Sequence, residues 1–456
     1  MSQLKTKKAV KTKANITTMT INEVTNDIPE VQEHYQDYPY PYRDPEDERK
    51  RILAIAGEFI GELNHYLWKG KQNFDLGFRC LIAGGGTGDA AIYLAEQLKN
   101  KKAEIVYLDF SKPSMEIAQK RAQVRGLTNI TWVYDSILNI PNLNLGKFDF
   151  INCSGVLHHL KHPPEGLKIL KDSLKEDGGM NLMVYAKYGR TGVYQIQDIM
   201  KMVNKDVTNR AQEIMNGKAI VSSLPTTNWF VRGQELLSDH ISFGDIGMYD
   251  MFLHKQDRCY SIPELHEFIE NADLNFTEFS DVSEKLSLRI ENYITDFSLL
   301  QKIKRMNIVT QKAICEIIVG NIIKHTFYAS NKPDTIATLD DLNNVPYFYG
   351  ITGIAKQIYD HIENSSVMPG TNINFTLNNS LIKNINITIP ISQYTKYIFK
   401  QLIDDTQSLQ EIFDATRADM QQHVNSEVLL TEVKNVFAPF LLTGLMLLRD
   451  KSVQLF

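Results

Sequence analysis

Short apolar runs alternate with helical stretches along residues 78–186. Five of these runs are predicted to be strands, and they cover residues 78–84, 103–109, 130–135, 147–154 and 179–186. The stretches between them, such as AAIYLAEQLKN and SMEIAQKRAQVRG, favour helices. Strands that alternate with helices of this length predict right-handed βαβ units and a mostly parallel sheet. Ligands bind beyond the carboxyl ends of such strands, so we expect functional residues where each strand stops.

The regions on either side of this pattern differ from it. Residues 51–68 place apolar side chains at helical spacing and predict an amphipathic helix. Ahead of them, residues 30–50 contain three prolines, which hold the chain extended or turned. Residues 191–330 have a mainly helical pattern. Residues 335–456 suggest three helices and a terminal strand, in the manner of a small winged-helix module.

Length, charge and cysteine use narrow the class of protein. A chain of 456 residues exceeds what one hydrophobic core usually serves, so several domains are expected. The net charge of -5 includes no domain-wide basic excess, and no nucleic-acid partner is expected. Four scattered cysteines form no metal-ligand spacing, which predicts reduced thiols, no metal site and a cytoplasmic location. The longest apolar run, residues 437–448, is too short to span a bilayer.

Residues 1–15 carry five lysines and no acidic residue. Polar residues follow them in place of an apolar segment, so the sequence does not indicate a secretory signal. We interpret residues 1–29 as a basic, disordered tail. Because so polar a stretch can bury little apolar surface, we expect it to be dispensable for folding.

A glycine-rich loop, GGGTGD, follows the first predicted strand and precedes a predicted helix. Its glycines Gly84, Gly86 and Gly88 let a ligand approach the backbone closely, and the amides of the helix that follows favour an electron-rich group. Asp109 ends the second predicted strand, 21 residues after Gly88. A carboxylate at this position can accept hydrogen bonds from both hydroxyls of a ribose. The loop and the acid together predict a nucleotide site.

The third predicted strand ends in Asp135 and Ser136, which are placed to meet the exocyclic amine of an adenine. A dinucleotide fingerprint is disfavoured, because Asp89 stands where G-x-G-x-x-G requires its last glycine. A phosphate-binding Walker loop is disfavoured as well, since no lysine follows Gly88. An adenosine ligand other than NAD or ATP remains, although a tight turn with two solvated aspartates is the structural alternative.

The runs LIAGGGTGDAAIYLA, VYLDFSKPSMEIAQKRAQVRGL, WVYDSIL, FDFINCSGVLHHLKHP and LKEDGGMNLMVYA resemble class I S-adenosylmethionine methyltransferases over about 110 residues. The resemblance implies a Rossmann-like core of seven strands and S-adenosylmethionine as the cofactor. It further implies that the three glycines pass under the methionine part, that Asp109 holds the ribose, and that Asp135 and Ser136 lie by the adenine.

These patterns together predict an α/β protein in five parts. The parts are a disordered tail (residues 1–29), an N-terminal cap segment (30–50), a catalytic domain that binds S-adenosylmethionine (51–190), a helical middle domain (191–330) and a C-terminal winged-helix-like module (335–456). The middle domain is predicted to bind substrate or to form a homodimer.

Ser154, the last residue of the fourth predicted strand, and His158, in the loop that follows, are candidates for catalysis. In methyltransferases similar to this chain, the loop there borders the sulfonium, which makes Ser154 a candidate for both cofactor binding and catalysis, and His158 a candidate for catalysis. The alternative for His158 is a structural histidine that hydrogen-bonds to the backbone. A metal site on His158, His159 and His162 is disfavoured, because adjacent histidines cannot share one helical face and no carboxylate completes the set.

Four tyrosines, at positions 35, 38, 40 and 42, surround the prolines of the cap segment. Aromatic faces can surround a cation, and both the sulfonium and a protonated amine are cations. We therefore take Tyr38 as a third catalytic candidate, which would orient an amine. The alternative is that these tyrosines fasten the segment to the core. The run YPYPYRDPE also resembles a cap that closes over the cofactor in a set of bacterial methyltransferases.

The order of cap, core, helical middle and winged module resembles outer-membrane-protein lysine methyltransferases of obligate intracellular bacteria. This resemblance implies transfer of methyl groups to lysine side chains of a protein, with a bacterial outer-membrane protein as one acceptor. Two alternatives stay open at this point: a methyltransferase that acts on a small molecule, and a non-enzymatic protein that binds the cofactor and a partner. The resemblance does not name the acceptor.

Overall fold

A central sheet of eight strands organises the chain. The computed structural model describes residue 36 and residues 39–254, 256–365, 367–377 and 385–454. The strands of the sheet are β1 (Phe78–Ala83), β2 (Ala103–Asp109), β3 (Ile130–Tyr134), β4 (Phe148–Ser154), β5 (Leu174–Ala186), β6 (Cys259–Tyr260), β7 (Asn275–Phe279) and β8 (Lys324–Ser330). Seven of them follow the order β3-β2-β1-β4-β5-β8-β7, and β6 pairs with β5. The pairings of β8 are antiparallel and the others are parallel.

Both faces of the sheet are buried. Successive residues of β1 alternate between two cores, with Leu81 on one face and Ile82 on the other. Such strands read as continuous apolar runs, which is why the sequence shows them clearly. The helices of this part are α1 (Ile60–Leu67), α2 (Asp89–Leu98), α3 (Lys112–Arg125) and α4 (Pro163–Ser173). The Rossmann-like methyltransferase fold predicted from the sequence is confirmed.

The helix predicted over residues 51–68 is shorter in the structure, where α1 begins at Ile60. Gly57 interrupts the segment, with φ of +77°. A Cβ atom at Gly57 would lie 2.7 Å from the Cβ of Ser280, so the chain turns here at a point of close contact. Glu58 follows it, fully buried and hydrogen-bonded. Apolar spacing alone does not reveal this turn.

Residues 191–254 leave the sheet after β5 and form a bundle that we call the helical insertion. Its helices are α5 (Thr191–Val203), α6 (Arg210–Ser222), α7 (Trp229–Gly233), α8 (Asp239–Ser242) and α9 (Gly244–Phe252). They enclose a small core of their own, to which Ile196, Phe230 and Phe252 belong. The insertion therefore has an independent apolar interior beside the sheet.

The stretch predicted as a helical middle domain also contains three strands of the main sheet. After the insertion the chain forms β6, β7 and β8, together with α10 (Ile262–Glu270), α11 (Val282–Ser287), α12 (Phe297–Lys304) and α13 (Ile308–Val319). These strands are short and stand among helices, so the local pattern favours helix. They are fixed by pairing with distant residues, such as Leu182 with Phe327. The run HTFYAS was the signal for β8.

The C-terminal part has a separate core and two small sheets. The strands β9 (Asn344–Phe348) and β12 (Met446–Asp450) pair, as do β10 (Asn372–Leu377) and β11 (Ile385–Pro390), and the helices are α14 (Ile354–Asn364), α15 (Thr395–Gln401), α16 (Leu409–Met420) and α17 (Ser426–Leu442). The backbone N–H of Leu448 donates to Nδ1 of His65 at 3.0 Å, which ties this part to α1. Across the described ranges, helices that combine the length and apolar character of a membrane span are absent.

Candidate cofactor and acceptor site

A cavity of about 390 Å³ opens at the carboxyl ends of β1, β2, β4 and β5. Its walls include Gly84 and Gly86 after β1, Asp109 at the end of β2 and Ser154 at the end of β4. This is the edge at which an open α/β sheet places its ligands. The structure therefore brings these four sequence-predicted residues together around one space.

Close packing requires glycine at two positions of the glycine-rich loop, Gly84 and Gly88. Gly84 has φ of +78°, and a Cβ atom there would lie 2.3 Å from Cγ2 of Val156. Gly88 precedes α2 as its N-cap, and a Cβ atom there would lie 2.8 Å from Cβ of Ala118 in α3. Gly88 is not part of the cavity wall. Its role is to let α2 approach α3, whereas Gly84 and Gly86 face the cavity.

Asp109 is buried at the edge of the cavity. It accepts hydrogen bonds from the backbone N–H of Gly86 and of Ser111, each at 2.7 Å. Burial raises the pKa of its carboxyl to about 6, against the backbone hydrogen bonds, which lower it. Each carboxylate oxygen has a second lone pair, so ribose hydroxyls can still donate to it. The geometry fits the role that the sequence predicts for Asp109.

Asp135 and Ser136 are buried, and neither lines the cavity. Asp135 accepts from the backbone N–H of Ser136 at 2.6 Å and from Nδ2 of Asn139 at 2.9 Å. The wall next to Asp109 is formed instead by Phe110, Ser111 and Ser114. Sequence reasoning missed these three residues. The signal was present in DFSKPS, where Ser111 caps α3 and Pro113 lies in its first turn.

The described part of the cap segment, residues 39–50, lies across the glycine loop. Tyr40 and Pro41 line the cavity, and the Pro41 carbonyl accepts a hydrogen bond from Oγ1 of Thr87 at 2.6 Å. Tyr38, the third catalytic candidate, and Tyr35 lie outside the described residues. Tyr42 is 55% exposed. Of the two tyrosines of this set that the structure describes, Tyr40 is the one at the site.

Buried ion pairs fasten this segment to the loop. Arg43 donates to Asp89 through Nε, at 3.0 and 3.2 Å from its two carboxylate oxygens, and through Nη2 at 2.8 Å. Arg121, only 2% exposed, donates to Glu48 at 2.8 Å, to Asp89 at 2.6 Å and to the carbonyl of Thr87 at 2.8 Å. Paired and bidentate contacts of this kind fix orientation as well as position. The cap segment and the glycine loop thus form one unit.

A buried glutamate supports the floor of the cavity. Nδ2 of Asn152 donates to Oε1 of Glu58 at 2.5 Å and to Oγ of Ser154 at 3.2 Å. Nδ2 of Asn181 donates to the same glutamate oxygen at 2.7 Å. Burial raises the pKa of Glu58 to about 8, although both amide hydrogen bonds lower it. Glu58 is therefore neutral at pH 7 and holds Asn152, a cavity residue, in place.

The two adjacent histidines occupy different positions. His158 is fully buried, is not on the cavity wall, and its ring nitrogens make no hydrogen bond with the described residues. Burial holds its pKa well below the usual range. His159 lines the cavity, and its Nδ1 lies 2.8 Å from the carbonyl oxygen of Gln256. That carbonyl can only accept, so Nδ1 carries the proton and Nε2 is the acceptor nitrogen.

His159 thus takes the place at the wall that the sequence assigns to His158. Burial lowers the pKa of His159, so its ring is neutral near pH 7. The stack with His254, at 3.9 Å between ring centroids, fixes the ring plane. The difference arises because a single 3-10 turn, Leu157–His159, carries both histidines and points them in different directions. The pattern of apolar residues does not show which of the two histidines faces the cavity.

The remaining wall combines aromatic rings and carboxylates. Tyr40 donates from Oη to Asp239 at 2.8 Å and packs edge-on against Phe243 at 5.5 Å. Tyr185 and Asp250 also line the cavity. Burial, followed by the charges of Asp250 and Asp239, raises the pKa of both tyrosines. Asp239 and Asp250 come from the helical insertion and had no role in the sequence prediction.

The wall is aromatic and carries both signs of charge, since Lys324 lines the cavity beside Asp250 and the guanidinium of Arg190 lies 3.6 Å from the centroid of the Tyr185 ring. Among the residues with described positions, groups of three or more His, Cys, Asp or Glu arranged for a metal ion are not found. The glycine loop, Asp109 and the wall of Phe110 fit an adenosine ligand, since they supply close backbone approach, a ribose acceptor and an apolar face. The opposite wall is left for the group that receives the methyl.

Comparison with known proteins agrees with this geometry. Residues 81–180 match the methyltransferase domain family. An uncharacterised protein of Synechococcus sp. is 35% identical over 205 residues, which are 44% of this chain and 48% of that protein, so the match spans about half of its length. An uncharacterised protein of Rickettsia prowazekii is 22% identical over 424 residues, which are 88% of this chain and 69% of that protein.

The fold is shared with a solved structure. PKMT2 from Rickettsia typhi in complex with AdoHcy superimposes with a TM-score of 0.58 at 17% identity, covering 86% of this chain and 75% of that one. The similarity therefore extends well beyond residues 81–180. Together with the glycine loop and the acid that follows it, these findings place residues 81–180 in the methyltransferase domain family, with S-adenosylmethionine as the cofactor.

Proposed function

We propose that this chain transfers the methyl group of S-adenosylmethionine to lysine side chains of a protein. The observation that carries this proposal is the wall formed by Tyr40, Tyr185 and Asp250, with Asp239 behind it as the acceptor of the Tyr40 hydroxyl. Aromatic faces and carboxylates attract a cationic amine. The similarity of fold to PKMT2 over most of the chain supports the same choice. An outer-membrane protein is the acceptor that the sequence resemblance suggests.

The attacking amine must first lose a proton. At pH 7 an unperturbed lysine, with a pKa near 10.4, costs about 4.6 kcal/mol to deprotonate. The cofactor supplies the methyl group on a positively charged sulfur, and a cation beside the amine lowers its pKa, as partial desolvation does. His159, neutral and with Nε2 as its acceptor nitrogen, can take the proton directly or through water. Ser154, held by Asn152, can orient the amine.

The test is to incubate the chain with methyl-labelled S-adenosylmethionine and either a bacterial outer-membrane protein fraction or a set of small-molecule acceptors. Mass spectrometry should place the label on lysine Nζ of protein. The rate should rise with pH through the neutral range as the free-amine fraction grows. Label found only on a small metabolite, or on an oxygen or carbon centre, would overturn the proposal.

Tyr40 offers a sharper test of the acceptor wall. Tyr40→Phe removes the hydroxyl that binds Asp239, and loss of a hydrogen bond to a charged group corresponds to about 1.5–3 kcal/mol. We expect turnover to fall by about tenfold or more with cofactor affinity nearly unchanged. Tyr42→Phe, at an exposed tyrosine of the same segment, is the matched control and should behave as wild type. Equal turnover in the two variants would remove Tyr40 from the acceptor site.

A further inference from the structure

Lys324 lies on the wall of the cavity, and the proposed transfer gives it no role. It occupies the first position of β8 and is exposed to solvent. Its partner across the antiparallel pair of β5 and β8 is Tyr185, which lines the same cavity. Residues directly opposite each other in such a pair place their side chains on the same face of the sheet. The side chain of Lys324 therefore accompanies that of Tyr185.

The order of the strands places Lys324 on the acceptor side of the cavity. Neighbouring strands lie about 4.8 Å apart, so β8 is about 19 Å from β2, which carries Asp109, and about 10 Å from β4, which ends at Ser154. A cofactor with its ribose at Asp109 and its sulfonium near Ser154, as the sequence predicts, occupies the edge from β2 to β4. Lys324 lies beyond that edge, next to the wall that the acceptor meets.

The charge of Lys324 has no counter-ion. Among the residues that the structure describes, none forms an ion pair or a hydrogen bond with its ammonium group. A second cation at this wall, Arg190, lies over the ring of Tyr185, and its guanidinium is 3.6 Å from the carboxylate of Asp257. The positive charge of Arg190 is thus balanced within the chain, and that of Lys324 is balanced by solvent.

A protein acceptor would change the surroundings of Lys324. When a lysine of that protein enters the cavity, the residues around it cover the wall and exclude water from the ammonium group. A charge that loses water without gaining a partner is costly, and a second positive charge beside it adds repulsion. A carboxylate in the acceptor removes both costs, because it supplies the missing counter-ion.

We propose that Lys324 determines acceptor specificity by binding a carboxylate next to the methylated lysine of a protein acceptor. This inference rests on the proposed lysine methylation and deepens it. An aspartate or glutamate beside the target lysine pairs with Lys324, whereas an arginine or lysine at that place is repelled. The preferred acceptor is therefore a lysine with acidic neighbours, whose amine lies against Tyr40, Tyr185 and Asp250.

The test compares three peptides that differ only in the residues on both sides of a single lysine, which are glutamate, glutamine or arginine. Each is incubated with the full chain and methyl-labelled S-adenosylmethionine, and an outer-membrane protein fraction is labelled and mapped in parallel. We expect kcat/KM to fall from the glutamate to the glutamine to the arginine peptide, by about tenfold or more in all, since one charge pair attracts and the other repels. Labelled lysines of the protein fraction should have acidic neighbours more often than unlabelled lysines of the same proteins.

Two variants separate the charge of Lys324 from other effects. Lys324→Glu should reverse the order of the glutamate and arginine peptides. Lys332→Glu makes the same change of charge at an exposed lysine outside the cavity, so it is the matched control and should keep the wild-type order. Both should bind S-adenosylmethionine with wild-type affinity by calorimetry. Raising the salt from about 0.05 M to about 0.5 M should reduce the preference of the wild type, because salt screens exposed charges.

Several results would overturn the inference and leave lysine methylation standing. They are equal kcat/KM for the three peptides, an order that Lys324→Glu leaves unchanged, and labelled protein lysines without an excess of acidic neighbours. Loss of cofactor affinity in Lys324→Glu would also overturn it, because the ammonium would then serve the cofactor. Label on Lys324 itself would make this residue an acceptor and overturn it as well. Absence of label from the peptides and the protein fraction alike would defeat the proposed function, and this inference with it.

Discussion

Replacing Glu58 with glutamine tests whether a buried neutral carboxyl supports the cavity floor. Oε1 of Glu58 accepts from Asn152 and Asn181, and Oε2 has no hydrogen-bond partner among the described residues. Burial raises the pKa of Glu58 from its ordinary value of 4.5 to about 8. Glutamine keeps the acceptor oxygen and the shape of the protonated side chain. It cannot ionise, and it places an NH2 group at the buried position of Oε2, which adds a cost that does not depend on pH.

The expected effect follows from proton linkage. Between pH 4.5 and pH 8 the folded state retains a proton that the unfolded state releases, so the stability of the wild type falls as pH rises through this window. Each pH unit lowers it by about 1.4 kcal/mol, and the whole window corresponds to about 5 kcal/mol. The contribution is fully present below pH 4.5 and is lost once pH passes 8. Glu58→Gln lacks this dependence, so its advantage over wild type should grow with pH.

Urea unfolding of both proteins at pH 5.5, 6.5, 7.5 and 8.5 measures the difference in free energy of unfolding. We expect that difference to grow by about 3 kcal/mol between pH 5.5 and pH 7.5 and to level off above pH 8. Glu62, whose pKa burial raises to about 7, titrates in both proteins, and its charge raises the pKa of Glu58, so the measured difference includes this coupling. Glu165→Gln, at an exposed glutamate, is the control and should give a flat difference. A flat difference for Glu58→Gln as well would refute a protonated Glu58.

Three further predictions concern the cofactor, the cap and the tail. Asp109→Ala should weaken S-adenosylmethionine binding by about 1.5–3 kcal/mol, or roughly 10- to 150-fold by calorimetry, and unchanged affinity would remove Asp109 from the ribose site. Arg121→Met should lower the free energy of unfolding by about 3 kcal/mol, because it removes the buried partner of Glu48 and Asp89. The control Arg49→Met, at an exposed ion pair, should lower it by less than about 1 kcal/mol. Similar losses in the two variants would contradict the role of Arg121 in holding the cap segment. Removing residues 1–15 should leave the melting temperature within error, and a large drop would show that they dock.

The sheet could be predicted from sequence because its strands are buried on both faces. The run predicted over residues 103–109 is β2 as found, and the predicted first strand is one residue longer than β1. The strand β5 begins at Leu174, five residues before its predicted start. The prediction missed these residues because the run LKEDG is mostly polar. The strands β6 and β7 could not be predicted, since residues far away in sequence provide their pairing partners, whereas β8 has a local signal in HTFYAS.

The residues of the candidate site likewise fall into those set by local structure and those set by long-range contacts. Gly84, Gly86 and Asp109 are set by local structure, a loop and a strand end, so the sequence reveals them. Glu58 meets Asn152 across 94 positions and Tyr40 meets Asp239 across 199, and no local pattern encodes either contact. The sequence predicts Asp135 as the last residue of the third strand, whereas β3 ends at Tyr134, and Asp135 and Ser136 follow it as buried residues that do not line the cavity. Position along a strand does not determine where a side chain points after the strand ends.

The wall proposed to bind the methyl acceptor comes from parts of the chain outside residues 81–180, and this limits which related proteins can indicate the acceptor. Residues 81–180 supply Gly84 and Gly86 of the glycine loop, Asp109, Ser154 and His159, which line the cavity at the carboxyl ends of the strands. Tyr40, Tyr185, Asp239 and Asp250 lie outside that range, in the cap segment, at the end of β5 and in the helical insertion. A match confined to residues 81–180 therefore carries information about the cofactor and none about the acceptor. Variants that test which acceptor is methylated should therefore change residues of the acceptor wall, where the hydrogen bond from Tyr40 to Asp239 joins the cap segment to the helical insertion.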